Sequence, residues 1–222
     1  TLKWDNSQQV NNWINSHSIY APEPTIHSSA TPIIADIDAD GMPEIISGST
    51  VINPDGSIRW ANAIWNPGYG WFGTGATNWS SYASTVADID LDGRPEIIAG
   101  NAVWNADGTL RWWNNSFNGG STAIGNFDDD AYPEIVVTEN GTNSSVYLLE
   151  HNGTIKWGPV RLKSLEPTAS SEYLGCPPVI ADFDGDGKME IGIRGVNYYH
   201  VLDKNGNRKV SYSVPYQWWG WG

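Results

Sequence analysis

Cysteine is all but missing. Cys176 is the only one in 222 residues, so no intrachain disulfide can form, and the disulfide-stapled secreted frameworks are excluded. Stability has to come from packing, closure and bound ions. Positive charge is short as well: 12 Lys and Arg against 25 Asp and Glu leave a formal charge of -13. That balance argues against a nucleic-acid surface and against docking on anionic membranes. No stretch approaches the roughly 20 apolar residues of a membrane span. No basic and apolar leader precedes Thr1, so the chain reads as processed or excised. Long runs of Ala, Leu, Glu and Lys are lacking, which makes helix the minority class. The residues assemble no catalytic constellation either. His17, His27, His151 and His200 do not fall at a metal-ligand spacing, no G-x-S-x-G elbow occurs, and Cys176 sits beside two prolines without a nucleophile signature. The histidines are expected at the surface or in packing, and the chain is expected not to be an enzyme.

What is abundant is Gly (24), Pro (13), Trp (13) and Tyr (10), the composition of short strands joined by turns. A chain of this length can form one all-β domain with a real core, and residues 1–222 are read as one. Four segments repeat: PIIADIDADGMPEIISGS from Pro32, STVADIDLDGRPEIIAGN from Ser84, TAIGNFDDDAYPEIVVTE from Thr122 and PVIADFDGDGKMEIGIRG from Pro178. Each runs into a second shared element, VINPDGSIRW, AVWNADGTLRWW, YLLEHNGTIKW or HVLDKNGNRKV. Here the pairs Asp55-Gly56, Asp107-Gly108, Asn152-Gly153 and Asn205-Gly206 supply the positive φ angles of tight hairpin turns.

Each repeat therefore reads as four short strands: an apolar strand entering an acidic loop, a strand leaving it, and a closing hairpin. That is a blade of a β-propeller built from four-stranded antiparallel sheets. Four blades are expected at about 31–62, 83–114, 121–158 and 175–214, with aromatic and small polar insertions at 63–82 and 160–176. Thr1-Leu2-Lys3-Trp4 matches Thr109-Leu110-Arg111-Trp112, so the chain starts within a blade, and residues 1–30 are read as a strand completing a blade plus a linker. Either this strand closes the ring, which removes open sheet edges, or the chain is part of a longer array or assembles between subunits.

The acidic loops read D-x-D-x-D-G-x-x-E in three copies: Asp36, Asp38, Asp40 and Glu44; Asp88, Asp90, Asp92 and Glu96; Asp182, Asp184, Asp186 and Glu190. Alternate carboxylates closing around one point suit Ca²⁺, a hard ion that takes six to eight oxygens at flexible angles, and the glycine permits the sharp turn. Backbone carbonyls of Met42, Arg94 and Lys188 fall between glycine and glutamate. The third copy departs from the pattern. Its ligands would be Asn126, Asp128, Asp130, the Tyr132 carbonyl and Glu134, with Ala131 replacing the glycine, and it is expected to bind more weakly or to be distorted. The helical EF-hand loop is rejected on spacing, because the closing glutamate is the ninth loop residue and not the twelfth. The proposed ligands include fifteen carboxylates, so the rest of the chain carries +2. Up to four Ca²⁺ would bring the loaded chain to -5, and the ion-free form should suffer local repulsion.

The acidic nonapeptide, the E-I-I strand and the hairpin together resemble the FG-GAP and VCBS type repeats of integrin α-chain propellers, fungal lectins and bacterial surface proteins. The likeness covers most of residues 31 to 214. It implies a propeller with Ca²⁺ in its loops and, by itself, no particular ligand. Certain calcium-dependent propeller lyases acting on rhamnogalacturonan carry similar loops, which makes a polysaccharide lyase the alternative reading, although they are longer and no basic catalytic cluster is evident here. Trp4, Trp60, Trp112 and Trp157 recur at one repeat position and read as blade packing. Trp65, Trp71, Trp79 and Trp113 lie in insertions or beside them, where exposed rings suit stacking on sugars or burial against another protein. The tail from Tyr216 to Gly222 is expected to dock on something. Asn78, Asn114, Asn140, Asn143 and Asn152 head glycosylation acceptor patterns. The expectation is an extracellular or cell-surface calcium-binding module for adhesion, carbohydrate recognition or filament assembly. Its partner would be a glycan, a surface protein or further copies of itself.

Overall fold

A computed structural model of the chain describes residues 32–47, 50–61, 65–66, 70–71, 84–117, 119–139, 144–167 and 176–214. The first sheet contains β1 (Ile33–Ala35), β2 (Glu44–Ser47), β3 (Thr50–Ile52) and β4 (Ile58–Ala61). A two-stranded ladder of β5 (Trp65–Asn66) and β6 (Gly70–Trp71) follows. The second sheet holds β7 (Thr85–Ala87), β8 (Glu96–Ala99), β9 (Ala102–Trp104) and β10 (Leu110–Trp113). The third holds β11 (Gly120–Gly125), β12 (Glu134–Glu139), β13 (Ser145–Leu149) and β14 (Ile155–Arg161), and is followed by the short helix α1 (Leu162–Leu165). The last holds β15 (Val179–Ala181), β16 (Glu190–Arg194), β17 (Tyr198–Leu202) and β18 (Arg208–Ser213). All four large sheets are antiparallel and run up and down in sequence order. Their first strands β1, β7, β11 and β15 are neighbours in that order, as the inner strands of propeller blades must be. The fold is all-β and propeller-like, as the repeat predicts.

The core lies between blades. Ile37, Ile46 and Val51 of the first blade meet Ile97 of the second. Ile89, Ile98 and Val103 of the second meet Ile135, Val137 and Leu149 of the third. Phe127, Val136, Val146 and Leu148 of the third meet Ile191, Ile193 and Leu202 of the fourth. The second strands β8, β12 and β16 are therefore covered on both faces, which is why the sequence shows apolar runs such as EII and EIVV there and not a clean alternation, whereas β2 of the first blade alternates buried and half-buried residues. Each such aliphatic side chain contributes about 1.5–3 kcal/mol on burial. The end blades differ. Ile34 is 70% exposed, while its counterparts Val86, Ile124 and Ile180 are partly buried against the preceding blade. Phe183 is 42% exposed where Ile89 and Phe127 are buried.

The hairpins correct one expectation. Asn53 donates its N–H to the Ser57 carbonyl and accepts from the Gly56 N–H, and the same pair of bonds recurs at Asn105, Glu150 and Asp203. The connection has three residues, and in each only the glycine is left-handed, at φ +87, +83, +85 and +79°. Asp55, Asp107, Asn152 and Asn205 are not. This is a type I turn followed by a glycine bulge; the ladder of β3 and β4 shifts register separately, with Arg59 the extra residue between the Ile52–Ile58 and Val51–Trp60 pairs. The aspartate has a different role: Asp55 Oδ1 accepts from the N–H and Oγ of Ser57 at 2.8 and 2.6 Å, which holds its carboxyl below the usual range.

The repeated tryptophans join one blade to the next. Trp60 Nε1 donates to the Ala106 carbonyl at 2.9 Å, Trp112 to His151 at 2.9 Å and Trp157 to Lys204 at 2.7 Å. Each indole lies against the hairpin glycine of the following blade, Gly108, Gly153 or Gly206, so closely that a Cβ there would stand 2.7–3.0 Å from the ring. Val210 takes the tryptophan position in the fourth blade. Trp4 lies outside the described residues.

Candidate functional site

Each acidic loop joins the first strand of a blade to the second, and each hairpin joins the third to the fourth. Antiparallel pairing therefore sets both at the same end of the blade. In loops one, two and four the first aspartate organises the turn. Asp36 accepts the N–H groups of Asp40 and Gly41 at 3.1 and 2.8 Å. Asp88 accepts those of Asp92 and Gly93, and Asp182 those of Asp186 and Gly187. The Gly187 N–H is the main reason the Asp182 carboxyl lies below its ordinary range. The fifth loop residue accepts the N–H of the seventh in every copy. The closing glutamates are buried, and one oxygen of each accepts the N–H of the second loop residue: Ile37, Ile89, Phe127 or Phe183. Burial raises the Glu96 pKa.

A basic side chain from the fourth strand reaches into every loop. Arg59 approaches Asp38 at 2.6 Å and Glu44 at 3.6 Å. Arg111 pairs with Asp90 and approaches Glu96 at 3.6 Å. Lys156 pairs with Asp128 and contacts Glu134 at 2.8 Å and Glu150 at 3.0 Å. Lys209 contacts Asp184 at 2.6 Å and Glu190 at 2.9 Å. The hydrogen bond from Arg59 is the main cause of the lowered Asp38 pKa. On Lys209, the hydrogen bonds to Asp184 and Glu190 raise the ammonium above its usual range.

The loops suit a hard divalent cation. Carboxylate oxygens of Asp36, Asp38 and Asp40 lie within 4.8 Å of one another, as do those of Asp88, Asp90 and Glu96, of Asp128, Glu134 and Glu150, and of Asp182, Asp184 and Glu190. All these donors are oxygen, which favours Ca²⁺ or Mg²⁺ over softer metals. Asp38 Oδ1 is buried without a hydrogen-bond partner, as a ligand awaiting an ion would be. Ala39 and Leu91 are left-handed at φ 59 and 62°, a strain of about 1–2 kcal/mol for an L-residue of the kind that collects at ligand clamps. Glu44, Asp92, Asp130 and Asp186 stand outside the tight groups, so each loop brings together part of its expected set.

Residues 126–193 match the FG-GAP-like repeat family. The chain carries an FG-GAP-like repeat. That match runs from the third acidic loop through the fourth and into β16. No curated protein matches the chain. Among solved structures, the rhamnogalacturonan lyase YesW is 21% identical over 79% of this chain and 30% of its own, with a TM-score of 0.53. A Bacillus licheniformis rhamnogalacturonan lyase is 20% identical over 79% of this chain and 28% of its own, with a TM-score of 0.50. The V. cholerae biofilm matrix protein Bap1 is 18% identical over 83% of this chain and 42% of its own, with a TM-score of 0.49. The chain spans less than a third of the length of these two lyases. At such identities the likeness is one of fold.

Trp65 and Trp71 pair across the β5–β6 ladder, Trp79 lies outside the described residues, and Trp113 packs half-buried on Ala99, Ala102 and Trp104. Of the histidines, His151 stacks on Tyr132 and His200 is fully buried, with Nε2 2.9 Å from Glu166 Oε1 and Nδ1 2.8 Å from Ser211 Oγ. The basic residues of the fourth strands are what sequence reading missed. Their signal was present in the residue before each repeat tryptophan, Arg59, Arg111 and Lys156, and in Lys209 before Val210.

Proposed function

We propose that this chain is a non-catalytic, calcium-stabilised FG-GAP-like propeller module working outside the cell in adhesion, carbohydrate recognition or surface assembly. One observation carries the reading: loops one, two and four share one hydrogen-bonded turn, with the first aspartate holding the N–H groups of the fifth and sixth residues. Loop carboxylates converge beside each of these turns. Asp36, Asp38 and Asp40, Asp88, Asp90 and Asp92, and Asp182, Asp184 and Asp186 would hold the ions with the closing glutamates and the carbonyls of Met42, Arg94 and Lys188. The ion supplies positive charge to a crowded acidic turn. The chain's own residues keep that turn in shape.

Titration calorimetry with calcium, followed by native mass with and without chelator, tests the reading. Saturable binding together with lost stability on chelation supports it, and no binding refutes it. A glycan or a surface protein is the partner class, with Trp65, Trp71, Trp79 and Trp113 as contact candidates, and glycan arrays separate the first from the second. Polymers that form as concentration rises would mark self-assembly. The fold shared with rhamnogalacturonan lyases favours a second reading, a segment of such a lyase. Ultraviolet-absorbing unsaturated products from pectic substrates would establish it.

A further inference from the structure

We infer that the third acidic loop is not a calcium site: it lacks the left-handed turn and the first aspartate of the other three, and the Lys156 ammonium joins its carboxylates instead. The inference rests on the calcium reading above and sharpens it. Loops one, two and four are left-handed at two positions, the fourth (Ala39, Leu91 and Gly185, at φ 59, 62 and 77°) and the sixth (Gly41, Gly93 and Gly187, at φ 87, 89 and 84°). Loop three has Asp129 and Ala131 there, and neither is left-handed. Its backbone therefore follows another path, which an alanine adopts without strain.

The side chains of loop three are arranged differently as well. Asn126 brings no charge, and its Nδ2 donates to the Asp130 carbonyl at 2.7 Å. The aspartates at that position in the other loops are acceptors only. Asn126 Oδ1 accepts the Asp128 N–H, two residues on, where Asp36, Asp88 and Asp182 reach the N–H groups four and five residues on. The carboxylates that do converge are Asp128, Glu134 and Glu150, and Glu150 comes from the hairpin and not from the loop. Lys156 contacts all three. A lysine offers three donors and one positive charge, enough to join these three carboxylates without a divalent ion. Arg59, Arg111 and Lys209 pair with their loops similarly, but there the first aspartate, the glycine and the left-handed turn are all present.

The test counts ions on the full chain by native mass spectrometry at saturating calcium. The wild-type chain should carry three, Asp88→Ala two, and Asp128→Ala still three. In parallel, Lys156→Met should melt about 5 °C lower, by the same amount in calcium and in chelator, while Lys156→Arg retains most of the stability. Four ions on the wild type, or one ion lost in Asp128→Ala, would overturn the inference and leave the calcium reading standing. No ion on any loop would overturn both. An unchanged melting point for Lys156→Met would also refute it, and if that variant does not fold, the count on Asp128→Ala decides.

Discussion

Alanine at Gly153 should loosen the third blade from the second. Gly153 sits at φ +85°, and a Cβ built there stands 2.7 Å from Cε3 and 2.8 Å from Cδ2 of Trp112. Two costs add. A left-handed L-residue costs roughly 1–2 kcal/mol, and forcing a methyl group against a packed ring costs roughly 1–3 kcal/mol more, so the variant should lose roughly 2–5 kcal/mol. A double-mutant cycle with Trp112→Leu separates the two terms. Without the indole the methyl has room, so Gly153→Ala should then cost only the backbone share, and the coupling should be roughly 1–3 kcal/mol. Trp112→Leu alone also gives up the bond to the His151 carbonyl, worth about 1 kcal/mol. Urea denaturation at saturating calcium, with linear extrapolation, measures all four corners. If Gly153→Ala costs the same in both backgrounds, the indole does not seat on the hairpin and the account of how blades join is wrong.

Other outcomes follow from the same contacts. Chelation should lower the melting temperature because loops one and two then set four carboxylates against one paired basic side chain and loop four sets four against two, Lys209 and Lys188. Molar salt should recover part of the loss by screening, and a drop insensitive to salt would contradict the repulsion account. His200→Leu should cost roughly 1–3 kcal/mol, because it takes the hydrogen-bonding ring from the buried Glu166 side chain, whose other oxygen accepts the Asn197 N–H at 2.9 Å. Unfolding of His200→Leu beside Glu166→Gln/His200→Leu checks this, since removing the charge should return part of the stability. Tyr147, buried and then facing Glu139, has its phenol pKa pushed up to about 12. The fold holds the neutral phenol, so this contribution is whole below the unfolded value near pH 10 and is lost as pH rises towards the folded one. Phenolate absorbance of the native chain minus that of Tyr147→Phe should show the delayed titration, and a midpoint near 10 would refute it.

Much of the blade was legible because its signals are local. The acidic nonapeptide, the E-I-I strand and the glycine hairpin each lie within a dozen residues, and turn chemistry acts over that range. Four copies made the period visible, and strands β1 to β4 and their three counterparts follow it. Reading Asp55-Gly56 as a two-residue turn missed the bulge, since the same dipeptide fits both hairpin types and only the partner of Asn53 tells them apart. The last strand of the third blade, β14, runs to Arg161, held by pairs to Val146 and Ser145.

By itself, then, the sequence determined the all-β blade, its number of copies and the acidic character of its loops, because these depend on residue types at short fixed spacings. Tertiary structure alone decided which contacts the repeats make with one another. The seat of Trp112 on Gly153 joins two blades, Lys156 meets Glu134 from 22 residues away and Lys209 meets Glu190 from 19, and Glu166 finds His200 across 34 residues. The tryptophan seat and the Glu166–His200 contact exist only after the blades have packed, and the two lysine pairs only after their own sheets have formed. Sheet formation turns a periodic basic residue, ordinary on any exposed strand, into the counter-charge of an acidic loop.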